Sequence, residues 1–273
     1  MTVQPASRSG AAARDTTARI AAPLAFGILV IAIWQSLVSF AGVDDYLLPS
    51  PFAIGAEFVE FWPTVVSAGV ITGTNALIGL VAGSVVGILL ALLASASRVA
   101  DSLAAPLVAS LAVVPIVALA PVLNSMFGAD SQVGRQVIAA LAAFVPVFVN
   151  TLRGLRQTRP VHRELMRSYA AKPGQVMRVL TLPAARPFIF TGIRIASSLA
   201  VISALVAEYF GGPRGGLGGV ISTSAASSAY ARAWAYVVGA IILGLVFFLV
   251  TAALERLASP ASARPFGRAG GRQ

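Results

Sequence analysis

Six apolar runs of bilayer-spanning or nearly bilayer-spanning length dominate the sequence and limit what it can fold into. They cover about 22–41, 65–94, 103–123, 136–152, 187–208 and 233–254. A transmembrane helix needs about 20 mainly apolar residues. Of the 273 residues, 57% are hydrophobic and only 11% are charged, whereas about a quarter are charged in soluble domains. The sequence therefore predicts an all-α integral membrane protein with six transmembrane helices.

The basic residues predict how these helices are oriented. Sixteen of the 20 lysines and arginines fall in segments that six alternating spans place on one face. Arg135, Arg214 and Arg232 fall on the other face, and Arg194 lies in the fifth run. Because cytoplasmic loops are enriched in basic residues, we expect both termini in the cytoplasm of a multi-pass cell-membrane protein. This bias accounts for the formal charge of +10 without nucleic acid as a partner.

The chain divides into a membrane domain and two tails. Residues 1–21 are predicted to form a disordered cytoplasmic tail. Residues 22–254 form the transmembrane domain, with a polar cytoplasmic loop over 153–186. Residues 255–273 form a second, basic cytoplasmic tail.

The loop between the fourth and fifth runs has the pattern of two short helices. Apolar side chains recur at helical spacing in its first half: Val161, Leu165, Met166, Tyr169 and Ala170. Lys172-Pro173-Gly174 breaks that helix, and Pro173 is placed to begin a second one, Gln175 to Thr181, that ends at Leu182-Pro183.

The block from Glu164 to Pro183 resembles the EAA loop of binding-protein-dependent ABC importer permeases. That pattern is Glu-Ala-Ala, three residues, Gly, nine residues, Ile, one residue and Leu-Pro. Glu164 and Leu182-Pro183 match it with the spacing intact. The departures are small or apolar replacements: Leu165-Met166 for Ala-Ala, Ala170 for Gly and Leu180 for Ile.

The flanking residues resemble one subfamily. The stretch from Phe188 to Ile195 and the triplet Ala207-Glu208-Tyr209 look like permeases for nitrate, sulfonates, taurine or pyrimidine-like vitamin precursors. The resemblance implies the type I ABC importer permease fold with a coupling helix between the fourth and fifth spans. It also implies four kinds of partner: two cytoplasmic ATPase subunits, a second permease copy, an extracytoplasmic solute-binding protein and the lipid bilayer. ATP and Mg would lie on the ATPase, and this chain would bind no cofactor.

The resemblance assigns ATPase coupling to eight residues of the loop: Glu164, Leu165, Met166, Tyr169, Ala170, Gly174, Leu182 and Pro183. The Glu164 carboxylate could instead favour its helix through the N-terminal dipole. The apolar face could fill a groove on the ATPase or lie against lipid headgroups.

The sequence contains no recognisable nucleotide-binding, catalytic or metal-binding motif. Lys172, the only lysine, follows Ala171, so a G-x-x-x-x-G-K-[ST] phosphate loop is excluded. Cysteine is absent, His162 is the only histidine, and no metal-ligand cluster is visible. We therefore predict a non-enzymatic subunit whose ATPase is a separate chain. A secondary transporter or channel that works without an ATPase is the alternative, although it should carry coupling carboxylates within its spans.

Two residues are candidates for the solute pathway or outer gate. Glu208 lies at the outer end of the fifth run, where it could already reach water, and ionisable residues at membrane depth indicate function. Asn75, in the second run, can form hydrogen bonds between helices. Arg194 is expected to be structural, with its head group near the inner surface.

Glycine spacing and loop composition predict two further features. Gly79, Gly83 and Gly87 favour close helix approach, either within the chain or at a dimer seam. Arg135 is placed in a short outer loop, and the glycine-rich 211–219 stretch is interpreted as flexible turns.

Overall fold

Every regular element in the described part of the chain is helical. The computed structural model describes residues 9–40, 42–44, 46–96, 102, 106, 108, 110, 113–115, 118–128, 131–211 and 215–258, with side chains from residue 21 onward. The helices are α1 (Ser9–Phe40), α2 (Pro51–Glu60), α3 (Trp62–Ala96), α4 (Leu119–Phe127), α5 (Val133–Arg156), α6 (Pro160–Ser168), α7 (Pro173–Val176), α8 (Leu182–Phe210), α9 (Leu217–Ala226) and α10 (Tyr230–Ala258). A π-helical segment, Met177–Thr181, joins α7 to α8.

Five helical segments have the length and apolar composition to cross a bilayer. They are Ala21–Phe40, Trp62–Ala96, Val133–Arg156, Pro173–Phe210 and Tyr230–Ala258. In the predicted third run, 103–123, nine of the 21 positions lie outside the described residues, and the last five residues of the run begin α4. The count of six spans therefore stays a prediction.

The tails stay predictions as well. Helix α1 begins at Ser9, inside the stretch for which a disordered tail is predicted, and residues 1–8 lie outside the described part. Helix α10 continues to Ala258, four residues past the predicted end of the membrane domain, and 259–273 lie outside the described part.

Glycines let α3 pack directly against α5. A Cβ atom at Gly83 would collide with the carbonyl oxygen of Ala140, and one at Gly87 would lie 3.1 Å from the carbonyl oxygen of Phe144. Gly79 faces Ala139 in the same way. Since all three glycines are buried in this contact, the small-residue stripe is an internal contact of the chain and not a dimer seam.

Helix α5 also packs against α8, which makes it the centre of the bundle. A Cβ at Gly154 would lie 3.1 Å from the Cα of Ala185, and one at Gly192 would lie 3.1 Å from the carbonyl oxygen of Pro146. Small buried side chains fill the layer between α3, α5 and α8: Ala76, Ala139, Ala143, Val147, Ala196, Ala200 and Ala204. The close approach of the backbones follows from the small size of these residues.

Ion pairs connect α10 to α2 near its beginning and to α8 near its end. Near its beginning, Arg232 Nε donates to Glu57 Oε2 at 2.8 Å, and its guanidinium lies 3.7 Å from the centroid of Phe61. Near its other end, Glu255 lies 2.9 Å from Arg194 of α8. The prediction of a structural role for Arg194 agrees with this pairing.

Candidate functional site

The loop between α5 and α8 contains the two short helices that its sequence predicts. Helix α6 begins at Pro160. Proline has no backbone N–H, but the first turn of a helix offers no carbonyl acceptor for that group, so no hydrogen bond is lost. Helix α7 begins at Pro173 in the same manner. The predicted end at Leu182-Pro183 is wrong: the chain passes through the π-helical segment into α8 without a break. Proline is tolerated there because Pro183 falls in the first turn of α8.

Helix α6 ends in a left-handed residue. Ala170 has φ = 49°, its N–H donates to the carbonyl of Arg167 at 2.8 Å, and the N–H of Ala171 donates to the carbonyl of Met166 at 3.0 Å. These two bonds form a Schellman motif, in which glycine is the usual left-handed residue. The structure thus gives a physical reason for the glycine of the EAA pattern, and Ala170 adopts that conformation without being glycine.

The knob, which we define as α6, α7 and the turn between them, presents apolar side chains to its surroundings. Val161, Leu165 and Tyr169 are 68%, 53% and 77% exposed, and they follow the spacing of one helical face. Arg163 Nε of the knob donates at 2.8 Å to the hydroxyl of Thr158, which lies just before α6. Such a large exposed apolar fraction on a short helix is typical of a surface that a partner covers.

The remaining loop residues divide between exposed and packed positions. Glu164 is exposed, lies in the second turn of α6, and has no partner among the described residues. Because dipole effects fade beyond the first turn, helix capping is not its role. Gly174 has open space around it, and Pro183 is exposed. Leu182 packs against the core cluster under α5.

Glu208 is completely enclosed. Its place at the end of the fifth run suggested contact with water, and the structure shows no such contact. Its exposed fraction is 0%. Oε2 accepts hydrogen bonds from the Thr72 hydroxyl at 2.6 Å and the Gly218 N–H at 3.2 Å, and Oε1 accepts one from Asn75 Nδ2 at 3.2 Å. The Thr72 hydroxyl oxygen also accepts the N–H of Leu217 at 2.8 Å. One carboxylate thereby joins α3, α8 and α9.

Asn75 extends this group to the beginning of α5. Its Nδ2 donates to Gln132 Oε1 at 2.8 Å, and its Oδ1 accepts from Gln136 Nε2 at 3.3 Å. Gln132 Oε1 also accepts from Arg135 at 2.7 Å. The prediction that Arg135 lies in an outer loop is wrong: it belongs to the first turn of α5 and is 0% exposed. Composition alone assigns an arginine to water, whereas the Arg135 head group is buried here and donates to Gln132.

The glycine-rich stretch after α8 is also more ordered than its composition suggests. Gly216 has φ = 91° and lies against the Glu208 carboxyl group, where a Cβ would collide. Gly218 begins the first turn of α9 and packs against α8 with no room for a side chain. The interpretation of 211–219 as flexible turns is therefore wrong for residues 215–219, which bring the Gly218 N–H to Glu208 and the Leu217 N–H to Thr72. Arg214 lies outside the described residues.

The chain thus has two candidate sites, one at each end of α8. The knob leads into the first turn of α8, and the Glu208 group (Glu208, Thr72, Asn75 and Gln132 with their partners) surrounds its last turns. Within the described residues, no group of three or more His, Cys, Asp or Glu side chains is placed to hold a metal ion. The geometry therefore suits an exposed surface for a partner at one end of α8 and a buried polar group that joins helices at the other.

Known proteins resemble the chain over most of its length. Residues 83–262 match the family model described as binding-protein-dependent transport system inner membrane component. The chain is 33% identical over 195 residues to the formylaminopyrimidine transport permease protein ThiX of Halalkalibacterium halodurans, covering 71% of this chain and 77% of that one. It is 31% identical over 193 residues to the putative aliphatic sulfonates transport permease protein SsuC of Bacillus subtilis, covering 68% of each.

A solved structure shares the fold. The inward-facing MetNI methionine ABC transporter contains a chain that superposes with a TM-score of 0.62 at 17% identity. The superposition covers 74% of this chain and 99% of that one. This confirms the predicted fold class, an all-α membrane protein with the type I importer permease fold.

Proposed function

The chain belongs to the family of binding-protein-dependent transport system inner membrane components, the permease subunits of ABC importers, and we propose that it couples to its ATPase through the knob. Membership of this family implies a membrane subunit that works with a separate ATPase and a solute-binding protein. The observation that carries the proposal is the exposed apolar face of α6 on a loop that leads without a break into α8.

The knob fits a groove on an ATPase subunit by its shape and its side chains. Leu165 and Tyr169 supply apolar contact area on a helix that its Schellman motif and Arg163 hold in place. This is the helix-in-groove mode of recognition. Glu164, exposed and without a partner among the described residues, is available to pair with a basic residue of the ATPase. Two ATPase copies would serve a homodimer of this chain in the cell membrane, with both termini in the cytoplasm.

Capture of the ATPase by the detergent-solubilised permease tests the coupling role. Wild type should retain an ATPase subunit, and Leu165→Asp with Met166→Asp should lose it, because two charges on the apolar face oppose burial. Leu257→Asp is the matched control: Leu257 is 80% exposed near the end of α10, outside the knob. Glu164→Ala should weaken capture less than the double aspartate variant. Retention of the ATPase by the double variant would overturn the proposal, as would ATP-independent transport by the purified wild type.

We further propose that Glu208 and Asn75 close the outer gate. Both are buried, so their role is to hold α3, α8 and α9 together and not to face the solute in this conformation. Opening the outer side would require separating helices that the Glu208 carboxylate joins. Residues of this kind set the relative stability of two transporter conformations, and their loss should shift that balance.

The transported solute is proposed to be a small organic anion or heterocycle. Support comes from the relatives, whose names give formylaminopyrimidine and aliphatic sulfonates as their solutes. Nitrate, a small inorganic anion, and taurine, an aminosulfonate, are the other proposed solutes. Uptake measured in a strain that carries the complete importer, with a pyrimidine, a sulfonate and nitrate in parallel, would separate these solutes. Uptake of none of them in a strain whose importer is assembled would exclude this solute class.

A further inference from the structure

The junction between the knob and α8 is a single π-helical turn, Met177–Thr181. Its first and last residues have right-handed helical backbone angles, with φ = −59° at Met177 and −72° at Thr181. The N–H of Leu182 nevertheless donates to the carbonyl of Met177, whereas an α-helix would use the carbonyl of the fourth residue back. This is the only π-helical segment in the described part of the chain, and such turns are rare and are frequent at functional sites.

The second residue of α8 supplies a physical cause for the additional residue in this turn. Pro183 has no backbone N–H, and in a continuous α-helix its ring would collide with the carbonyl of the fourth residue before it, Val179. The wider π turn relieves that collision. Because an interior proline disfavours an α-helix by about a hundredfold or more, Pro183 favours the π-helical path over the α-helical one.

The packing of the π-helical segment depends on its additional residue. Met177 and Leu182 both pack against the buried cluster that includes Leu152 and Leu155 of α5. Positions five apart in an α-helix differ by about 140° around the axis, whereas the hydrogen bond of a π turn brings them to one face. Val179, within the turn, is 68% exposed. The core therefore holds both ends of the segment in the π-helical arrangement.

The two sides of this junction are held very differently. On the α8 side, a Cβ at Gly154 of α5 would lie 3.1 Å from the Cα of Ala185 and would collide with Phe188. On the knob side, α6 and α7 contain no buried residue, and Arg163 donates a single hydrogen bond to Thr158. Each residue of an α-helix turns the chain by about 100°. Conversion of the segment to an α-helix would therefore turn the knob by about 100° against a fixed α8.

We propose that Pro183 sets the rotational register of the knob, that is, the angle at which α6 faces outward relative to the first turn of α8. Pro183 does so by keeping Met177–Thr181 π-helical. It is a positioning residue, because it acts through the orientation of Leu165 and Tyr169 on the knob. The effect on transport rests on the proposed coupling to the ATPase, whereas the register is a property of the permease alone.

Distances between two spin labels measure the register without an ATPase. The chain has no cysteine, so Val161→Cys on α6 can be paired with Leu257→Cys or Leu93→Cys, all at exposed positions. Co-expression with an excess of cysteine-free wild type restricts the distances to one chain. Pro183→Ala should shift at least one mean distance by about 5 Å or more, since side chains about 5–6 Å from the axis turn by about 100°. Pro187→Ala is the matched control, because Pro187 lies in α8 beyond the π-helical segment.

A deletion distinguishes a change of register from a general loss of stability. Removal of Val179 from the Pro183→Ala chain allows an uninterrupted α-helix with the knob at its wild-type angle, because a π turn contains one residue more than the α turn it replaces. Val179 is exposed, so its removal leaves the core unchanged. Uptake by the assembled importer should fall about tenfold in Pro183→Ala. The deletion in that background should restore both uptake and the spin-label distances.

Three results would overturn the proposal. They are unchanged distances in Pro183→Ala, distances that the deletion does not restore, and the same shift in the Pro187→Ala control. Normal uptake in a Pro183→Ala importer whose distances have shifted would overturn the role of the register in transport. Failure of the wild type to capture an ATPase would instead contradict the coupling proposal, and the spin-label distances of the permease alone would be unaffected.

Discussion

The hydroxyl group of Thr72 donates a 2.6 Å hydrogen bond to Oε2 of Glu208, across 136 positions of the chain. The same hydroxyl oxygen accepts the N–H of Leu217 at 2.8 Å. Both side chains are 0% exposed. A single threonine thus connects a buried carboxylate to the first residue of α9, and its removal leaves the Leu217 N–H without this acceptor and takes one of two donors from Glu208 Oε2.

Thr72→Val should destabilise the protein by about 2 kcal/mol, because valine has the same shape but cannot pair with either group. The measurement is the thermal midpoint in detergent. Thr74→Val is the control: Thr74 is exposed, and its hydroxyl bonds to the carbonyl of Val70 in its own helix at 2.7 Å. A midpoint for Thr72→Val no lower than that of Thr74→Val would contradict the role given to this bond.

Glu208→Gln should impair transport more than folding. Glutamine keeps one acceptor oxygen, so either the Thr72 or the Asn75 side of the group loses its partner and faces an amide N–H₂. We expect uptake to fall at least about tenfold, which corresponds to a change of about 1.4 kcal/mol between two conformations. Uptake and ATP hydrolysis are measured on the same assembled importer. Normal uptake in this variant would contradict the proposed role of Glu208 in the outer gate.

Gly83→Ala should destabilise the α3–α5 contact by about 1–3 kcal/mol, the usual cost of overpacking, because the new methyl group meets the carbonyl of Ala140. Gly244→Ala is the matched control, since Gly244 lies within α10 and has nothing within 4 Å. Alanine gains helix propensity at both positions, so only Gly83→Ala should lower the thermal midpoint. Similar midpoints for the two variants would show that the backbones are farther apart than described.

Ala170→Gly should stabilise the knob by up to about 1 kcal/mol, because an L-residue in the left-handed region costs about 1–2 kcal/mol and glycine loses more entropy on folding. Ala170→Val should destabilise it. Amide hydrogen exchange over Pro160–Ser168 measures the effect locally. Ala171→Gly serves as the control, since Ala171 has no positive φ and glycine there should only speed exchange. Faster exchange in Ala170→Gly than in wild type would be the contrary result.

The ion pair between Arg194 and Glu255 should couple α8 to α10. Thr191 also donates to Glu255, at 2.8 Å, so removal of the arginine alone leaves a carboxylate with only a neutral partner. Arg194→Gln and Glu255→Gln, alone and together, form a double-mutant cycle. We expect a coupling free energy of about 1 kcal/mol in thermal or denaturant unfolding. Additive effects of the two single changes would indicate that the pair contributes no net stability.

Sequence patterns predicted the parts of this fold that depend on local composition. Long apolar runs identify the helices around Gly83 and Arg194, and the prolines at 160 and 173 mark the starts of α6 and α7. The spacing of the EAA pattern located the knob, and the left-handed Ala170 explains one position of that pattern.

The Glu208 group could not be predicted from any local sequence pattern. Glu208, Thr72 and Gln132 come from three distant parts of the chain, and only their packing makes each a partner for the next. The buried Arg135 was assigned to a loop for the same reason. The polar residues Thr72 and Asn75, one helical turn apart and so on one face of the second run, were the available sign that a polar partner lies opposite them.

Helix α8 spans 29 residues, from the π-helical segment that follows the knob to the Glu208 group, with Pro187 in its second turn. At about 1.5 Å per residue the helix is about 43 Å long. A tilt of about 5° at the knob would therefore shift the far end by about 4 Å, more than the length of any hydrogen bond that Glu208 makes. Under the proposed coupling, a small rotation that an ATPase imposes on the knob would be enough to separate the Glu208 carboxylate from its partners at the far end of α8.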